Sequence, residues 1–313
     1  MSSLLNFKYD KSEKLKLKKF LRVDLKLSGR LIRGAAKEGR IRVNGKRADL
    51  KHILNQGDIV DICVQRKESQ NIEPEKMDLS IVLEYIIFIF YCHEDEDIIV
   101  VNKSPGMVVH PTKSHPNGTL ANGLLYYFKS KGENCIVRLV SRLDMDTSGL
   151  IIVAKNQFSH MALARDMGEN TFKKGYLAVA HGVMEKPEGI IDLPIYRPGE
   201  GNIKRIVDDK GQRSITHYNV VENYDKASLI SLSLETGRTH QIRVHLTHLG
   251  HPLFGDALYG EGFDDSNYIN RQALHAYRLS FPHPRTGRII NLECDLPKDI
   301  NNLIDILRKR ANN

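Results

Sequence analysis

Two hydrophobic rhythms run along the chain, and they change over near residue 80. In residues 15–39, LKLKKFLRVDLKLSGRLIRGAAKEG, Leu21, Leu25, Leu27, Leu31 and Ile32 recur among basic residues at helical spacing, and Gly39 ends the run. RIRVNGKRA then alternates Ile41 and Val43 with charges, Asn44-Gly45 is a tight-turn dipeptide, and GDIVDI (57–62) adds another short strand. Residues 65–78, QRKESQNIEPEKMD, have little to bury and read as a linker. The longest apolar run, IVLEYIIFIFYC (81–92), is broken by Glu84. It is too short to cross a bilayer, which takes about 20 apolar residues, so a buried strand is predicted there.

Beyond residue 90 strands dominate. DIIVVNK (97–103), CIVRLV (135–140), GLIIVAK (149–155), KGYLAVAHG (174–182), THYNVVENY (216–224) and ASLISLSLE (227–235) read as strands. NQFSHMALARDMGEN (156–170), RTHQIRVHLTHLG (238–250, with Thr239 and Gly250 as caps) and LPKDINNLIDILRKR (296–310) read as helices. Many strands with few helices predict an α+β protein: a catalytic body on a mixed, largely antiparallel β-sheet with flanking helices, plus a small α/β module at the N-terminus. The expected division is 1–65 for the module, 66–80 for the linker and 81–313 for the body.

Composition adds a location for the charge. The 313 residues are 41% hydrophobic and 27% charged, as in soluble globular proteins. Ten Lys and six Arg against seven acidic residues give residues 1–65 a net charge of +9, while the whole chain carries +8, so the remainder is −1. A basic module on a near-neutral body points to a polyanionic partner such as nucleic acid. The first 20 residues are charged early and lack a small-residue cleavage site, which fits a cytoplasmic protein. Cys63, Cys92, Cys135 and Cys294 contain no zinc-type pair and are expected as buried free thiols.

The chemistry concentrates in two stretches. VSRLDMDTSGLIIVAKN (140–156) places Arg142, Asp144, Asp146, Thr147 and Ser148 between two apolar runs. That insert reads either as a capped turn or as a catalytic carboxylate held at a strand edge. A buried nucleophilic Asp needs a nearby cation to stay ionised, and Arg142, Arg238 and Arg243 are available. LETGRTHQIRVHLTHLGHPLFGDALYG (234–260) holds His240, His245, His248 and His251 but no HExxH pattern and no nearby Cys, so no metal site is expected. Thr239, His240, Gln241 and Arg243 at the start of a helix suit an anion, either a phosphate or the Asp144 carboxylate. Tyr176 lies in an alternating strand and reads as core or as a base-stacking surface. A Walker loop, a GxGxxG after a strand and a GxSxG elbow are all missing, which argues against nucleotide hydrolysis, dinucleotide redox chemistry and the usual serine hydrolases.

SRLDMDTSGLIIVAK (141–155) resembles the hallmark motif of the Rlu group of RNA pseudouridine synthases. FKKGYLAVAHG, ETGRTHQIRVHLTHLGHPLFGDALYG and LHAYRLSFPHPRTG resemble later motifs of that family in the same order, and EDEDIIVVNKSPGMVVHP (94–111) resembles its first strand. Residues 15–62 resemble the small RNA-binding module of a small-subunit ribosomal protein. The resemblance implies isomerisation of uridine to pseudouridine in RNA without metal or organic cofactor. It makes Asp144 the nucleophile, Arg243 its partner, Tyr176 the aromatic against the uracil that helps remove the carbon-5 proton, and Arg142 the filler of the gap left by a flipped nucleotide. Arg238 and His240 in the body, and Arg40, Arg42, Lys46 and Arg47 in the module, are the expected RNA contacts. Ser141 replaces a usual His, Ser104 a usual Pro, and residues 83–93 look inserted. The expected partner is large-subunit ribosomal RNA, with transfer RNA second, bound by a monomer that meets no membrane. A non-catalytic ribosome-assembly factor and a histidine-ligated metalloenzyme are the competing readings.

Overall fold

Ser28, not the leucine run before it, starts the first long helix. Its hydroxyl accepts from Leu31 N–H at 3.1 Å and caps Gly29–Lys37. The expected continuous helix over 15–39 is instead broken: Leu15–Lys16 is a short strand, Leu17–Lys19 one α turn and Phe20–Asp24 a π turn, and Lys26 adopts a left-handed φ of 49°. A serine that satisfies the orphan donors of a new helix stops the preceding one.

The computed structural model describes residues 4–63, 71–77 and 91–311. Leu4–Lys8, Ile59–Cys63, Ile41–Val43 and Lys46–Arg47 form a four-stranded sheet in that order. The Asn44-Gly45 turn has left-handed φ at both positions, 50° and 76°, and sets Val43 opposite Lys46. The core beneath this sheet, built on Leu5, Tyr9, Leu17, Leu21 and Ile41, also takes in Phe158 of the helix Gln157–Gly168. Arg285 donates to the Leu4 carbonyl at 2.8 Å from the other side.

The second sheet has ten strands. Along its main path run Glu188–Asp192, Ile215–Asn223, Ala227–Leu234, Lys173–His181, Leu274–Pro282, Ser148–Ala154, Ile98–Lys103 and Tyr91–Glu94; Ile289–Glu293 and Arg138–Leu139 pair off the path. Among the described strands only Ser148–Ala154 beside Leu274–Pro282 is parallel. The α+β class and its mostly antiparallel sheet are therefore as the sequence predicts. Leu120–Ser130 packs on one face and Lys298–Ala311 on the other, each burying an apolar stripe. No helix of the described residues is long and apolar enough to cross a membrane.

Two expectations need correcting. The described part of the linker, 71–77, does bury surface: Ile72 joins the Leu120–Ser130 cluster, and the Glu73 carbonyl accepts from Asn122. Cys63, Cys135 and Cys294 are in no disulfide and are half-buried rather than buried. The strand expected at 81–92 falls mostly outside the described residues, which resume at the strand Tyr91–Glu94.

The parallel pair explains one glycine. Gly149 has φ +114°, and a Cβ there would lie 2.3 Å from the Ala276 carbonyl oxygen and 2.6 Å from its nitrogen. Any side chain would force apart this parallel pair, whose first strand follows directly on the Asp144 loop. Gly149→Ala is expected to cost about 2–5 kcal/mol through strain and overpacking. A lower urea midpoint at unchanged slope would register it.

Candidate active site

The hairpin of Arg138–Leu139 and Ser148–Ala154 presents Asp144 in its connecting loop. Three bonds shape that loop. Thr147 N–H donates to the Asp144 carbonyl at 3.1 Å, closing a turn. The Lys103 ammonium donates to the Met145 carbonyl at 2.7 Å, and Arg271 Nη1 to the Asp146 carbonyl at 2.9 Å. Gln272 Nε2 and His275 Nδ1 meet the side chains of Thr147 and Ser148 at 3.3 and 2.9 Å. The backbone from Asp144 to Thr147 is thus bonded, while the Asp144 carboxylate keeps 28% exposure.

Arg243 comes from the helix Gln241–His248 on a distant part of the chain. Its Nη1 donates to Asp144 Oδ2 at 3.1 Å. Its Nε and Nη2 form a fork on Asp256, 2.7 Å to each oxygen. The Asp256 side chain is fully buried and also accepts from the N–H groups of Leu258 and Tyr259. Burial works against the Arg243 charge, but the bonds and fields of Asp256 and Asp144 outweigh it and hold its pKa above the ordinary arginine value. The Tyr259 ring lies 5.0 Å from the guanidinium carbon, a cation–π distance.

The helix begins differently from expectation. His240, not Thr239, is the N-cap, with φ 58° and no side-chain cap bond. The left-handed turn instead sends the imidazole to Tyr259, whose hydroxyl meets His240 Nδ1 at 2.9 Å. The other ring nitrogen lies 3.9 Å from Asp144 Oδ2. Burial, with Arg243 and Arg205 adding to it, holds His240 below its ordinary pKa against the pull of Asp144, so the ring is neutral at neutral pH. Gly250 follows the helix at φ +87°, as predicted for its end.

Arg142, Asp144, Tyr176, Arg238, His240 and Arg243 surround one narrow cleft of ≈ 60 Å³. Tyr176 is a buried wall, supplied by the strand Lys173–His181 opposite Leu232. Burial, and then the Asp144 charge, push its hydroxyl above the ordinary tyrosine value, so it stays protonated. Arg142 and Arg238 are exposed at the mouth. The four module residues stand apart from this cleft. Arg42, Lys46 and Arg47 are exposed on their hairpin. Arg40 is turned inward, donating to Glu38 at 2.9 Å and to the Cys63 carbonyl.

Four residues of this site were not read from the sequence: Lys103, Asp256, Tyr259 and Arg271. Asp256 sits in the Gly-Asp step of HPLFGDALYG, and Lys103 ends the strand IIVVNK after four apolar residues and Asn102; those were the available signals. Lys103 is 2% exposed and donates to the carbonyls of Ser104, Met107 and Met145. Burial pushes its ammonium from 10.5 down to about 7, against the pull of Asp146 and Asp144 and with the help of Arg271. Between those values the unfolded chain holds a proton that the folded chain has released, so this residue makes stability rise with pH from about 7 to 10.5. Lys103→Met is expected to flatten that rise in urea midpoints; an equal rise in the variant would assign it elsewhere.

The histidines of 234–260 do not converge on a metal. His245 is buried between Thr216 and the Leu193 carbonyl, and His251 bonds the His181 carbonyl. Elsewhere, Asp95, Asp97 and His283 bring ligand atoms within 4.8 Å of one another. Arg285 already pairs with Asp97 at 2.6 Å, and His93 and His283 both meet Asp95 at 2.9 Å, so that group is an ion-pair network.

The profile of the RNA pseudouridylate synthase family matches residues 97–248, which include the Asp144 loop, Tyr176 and Arg243. The chain is 38% identical over 291 residues to the RNA pseudouridine synthase YjbO of Bacillus subtilis (strain 168), covering 93% of this chain and 95% of that one. The chain belongs to the RNA pseudouridine synthase family. A second relative, ribosomal large subunit pseudouridine synthase D of Haemophilus influenzae, is 38% identical over 263 residues, covering 80% of this chain and 78% of that one. Among solved structures, human RNA pseudouridylate synthase domain containing 4 is similar with TM-score 0.58 and 25% identity, over 70% of this chain and 92% of that one. The protein is thus an isomerase that binds and modifies RNA. As a pseudouridine synthase it carries the cleft around Asp144 in the matched segment, and the reading as a non-catalytic assembly factor falls away.

Proposed function

We propose that this pseudouridine synthase acts on specific uridines of large-subunit ribosomal RNA, with Asp144 as the reacting carboxylate. The observation that carries the reading is the 3.1 Å bond from Arg243 to an Asp144 that remains open to the cleft. The pair sets a guanidinium against the carboxylate without sealing it off. In the reaction the bond from the uracil nitrogen-1 to the sugar breaks, the base turns, carbon-5 bonds to the sugar, and the carbon-5 proton leaves while nitrogen-1 gains one. Nothing is oxidised or reduced overall, so no redox cofactor is required. Every group in this reading comes from one chain, so a monomer suffices.

The cleft is small, ≈ 60 Å³, and Arg142, Arg238 and His240 line it where a base must enter. Arg142 is exposed at that rim and is placed to fill the space the flipped nucleotide leaves. Flipping costs a few kcal/mol, which phosphate contacts elsewhere can offset. Tyr176, held protonated, serves as an apolar wall against the base; in the free protein it is no phenolate base. Arg238 and His240 face the incoming strand from the helix start.

Pseudouridine mapping of ribosomal and transfer RNA, with and without the protein in its cells, tests the target. Loss confined to large-subunit RNA is expected; loss confined to transfer RNA would overturn the choice. Residues 1–65 are assigned as the phosphate-binding module, tied to the body, residues 81–313, by the 66–80 linker. Changing Arg42, Lys46 and Arg47 together to Gln should weaken RNA binding and lower the log–log salt slope by roughly 2–3. An unchanged slope would refute the role of that hairpin. An enzyme of ribosomal RNA works inside the cell, in keeping with the cytoplasmic expectation.

A further inference from the structure

The turn that presents Asp144 is held from behind. Met145 and Asp146 are its two central residues, and both carbonyls accept from buried basic side chains elsewhere in the chain, Lys103 and Arg271. Arg271, on the Asp146 carbonyl, is 8% exposed. Its remaining donors, Nε and Nη2, form a fork on Asp299 at 2.7 and 3.0 Å. Asp299 lies in the first turn of the helix Lys298–Ala311. That helix buries Ile300, Leu303 and Ile304 in the cluster that holds Val179, whereas Tyr176 faces the cleft-side cluster. Three residues apart on one strand, Tyr176 and Val179 point to opposite faces of the sheet. The helix therefore sits behind the sheet, and Arg271 reaches from it to the catalytic turn.

We propose that Arg271 is a positioning residue for the isomerisation, and that Asp299 acts through it, so the closing helix sets the placement of the Asp144 carboxylate from the far face of the sheet. This rests on Asp144 being the reacting group. The chemistry suits arginine. A planar guanidinium can give two parallel bonds to a carboxylate and still aim a further N–H at a carbonyl, which an ammonium cannot do. Displacement of a reacting group by about 1 Å can cost a hundredfold in rate.

Tritium release from unmodified ribosomal RNA transcript carrying [5-³H]uridine gives kcat and KM, with kcat scaled to the folded fraction. Asp299→Asn keeps shape at a partly exposed position and removes the charge that orients Arg271. It is expected to lower kcat about tenfold with KM within twofold, and Arg271→Lys to lower it about a hundredfold. The Arg271→Lys/Asp299→Asn pair should be no slower than Arg271→Lys alone. The proposal is overturned if kcat per folded enzyme is unchanged in Asp299→Asn, or if the two effects multiply. Asp144→Asn in the same assay separates the two readings. An active Asp144→Asn removes the premise, whereas an inactive one beside a fully active Asp299→Asn removes the positioning role alone.

Discussion

Asp144→Asn is expected to lower carbon-5 tritium release by about 10³-fold or more while RNA affinity stays within a few-fold. The substitution is nearly isosteric. The backbone bonds that shape the turn, from Thr147, Lys103 and Arg271, do not involve the Asp144 side chain and should survive. An Asn oxygen can still accept from Arg243 Nη1, so the cleft should keep its form. What disappears is the anion: an amide neither attacks carbon nor takes a proton at neutral pH. Removing a negative charge from a surface that meets phosphates should shift affinity, if at all, toward tighter binding. Undiminished tritium release would refute Asp144 as the reacting group, and a large loss of affinity would make it a binding residue.

Arg243→Met should be damaging in two separable ways. The buried Asp256 would lose its fork partner, and an unpaired buried charge typically costs about 3–5 kcal/mol. The Asp144 carboxylate would lose its cation at the same time. Arg243→Met/Asp256→Asn separates the effects, because it removes both halves of the buried pair. Urea midpoints should recover much of the loss in the double variant, since replacing a whole buried ion pair is often close to neutral. Activity should remain lost in both. Recovered catalysis in the double variant would mean that Arg243 serves only to satisfy Asp256.

The parts of the fold legible in the sequence are those written in neighbouring residues. Asn44-Gly45 takes the two left-handed conformations such a turn demands, and the register of the hairpin follows. The alternating runs become the strands Lys173–His181, Ile215–Asn223 and Ala227–Leu234, the first and last of them buried on both faces over much of their length. The helix Leu120–Ser130 escaped notice, and its chemistry shows why. Asn122-Gly123 reads as a turn, yet Asn122 completes a capping box with Thr119, and Gly123 is buried inside the helix. The Asp144 loop was legible as a motif and Arg243 as a partner through family resemblance. Asp256 and Arg271 were not, because a sequence does not show which distant carboxylate or carbonyl a cation will meet.

The pairing of Ser148–Ala154 with Leu274–Pro282 has a consequence for biosynthesis. Ser148 finds His275 only after 127 further residues have been made, and the Arg271–Asp299 fork waits longer still. Contacts so far apart in sequence form slowly. A nascent chain released before its closing helix emerges would hold the whole Asp144 motif and most of the central sheet, yet lack Asp299, the carboxylate through which the helix holds Arg271 on the turn. Truncated products of this kind should bind RNA through their basic first residues without altering it.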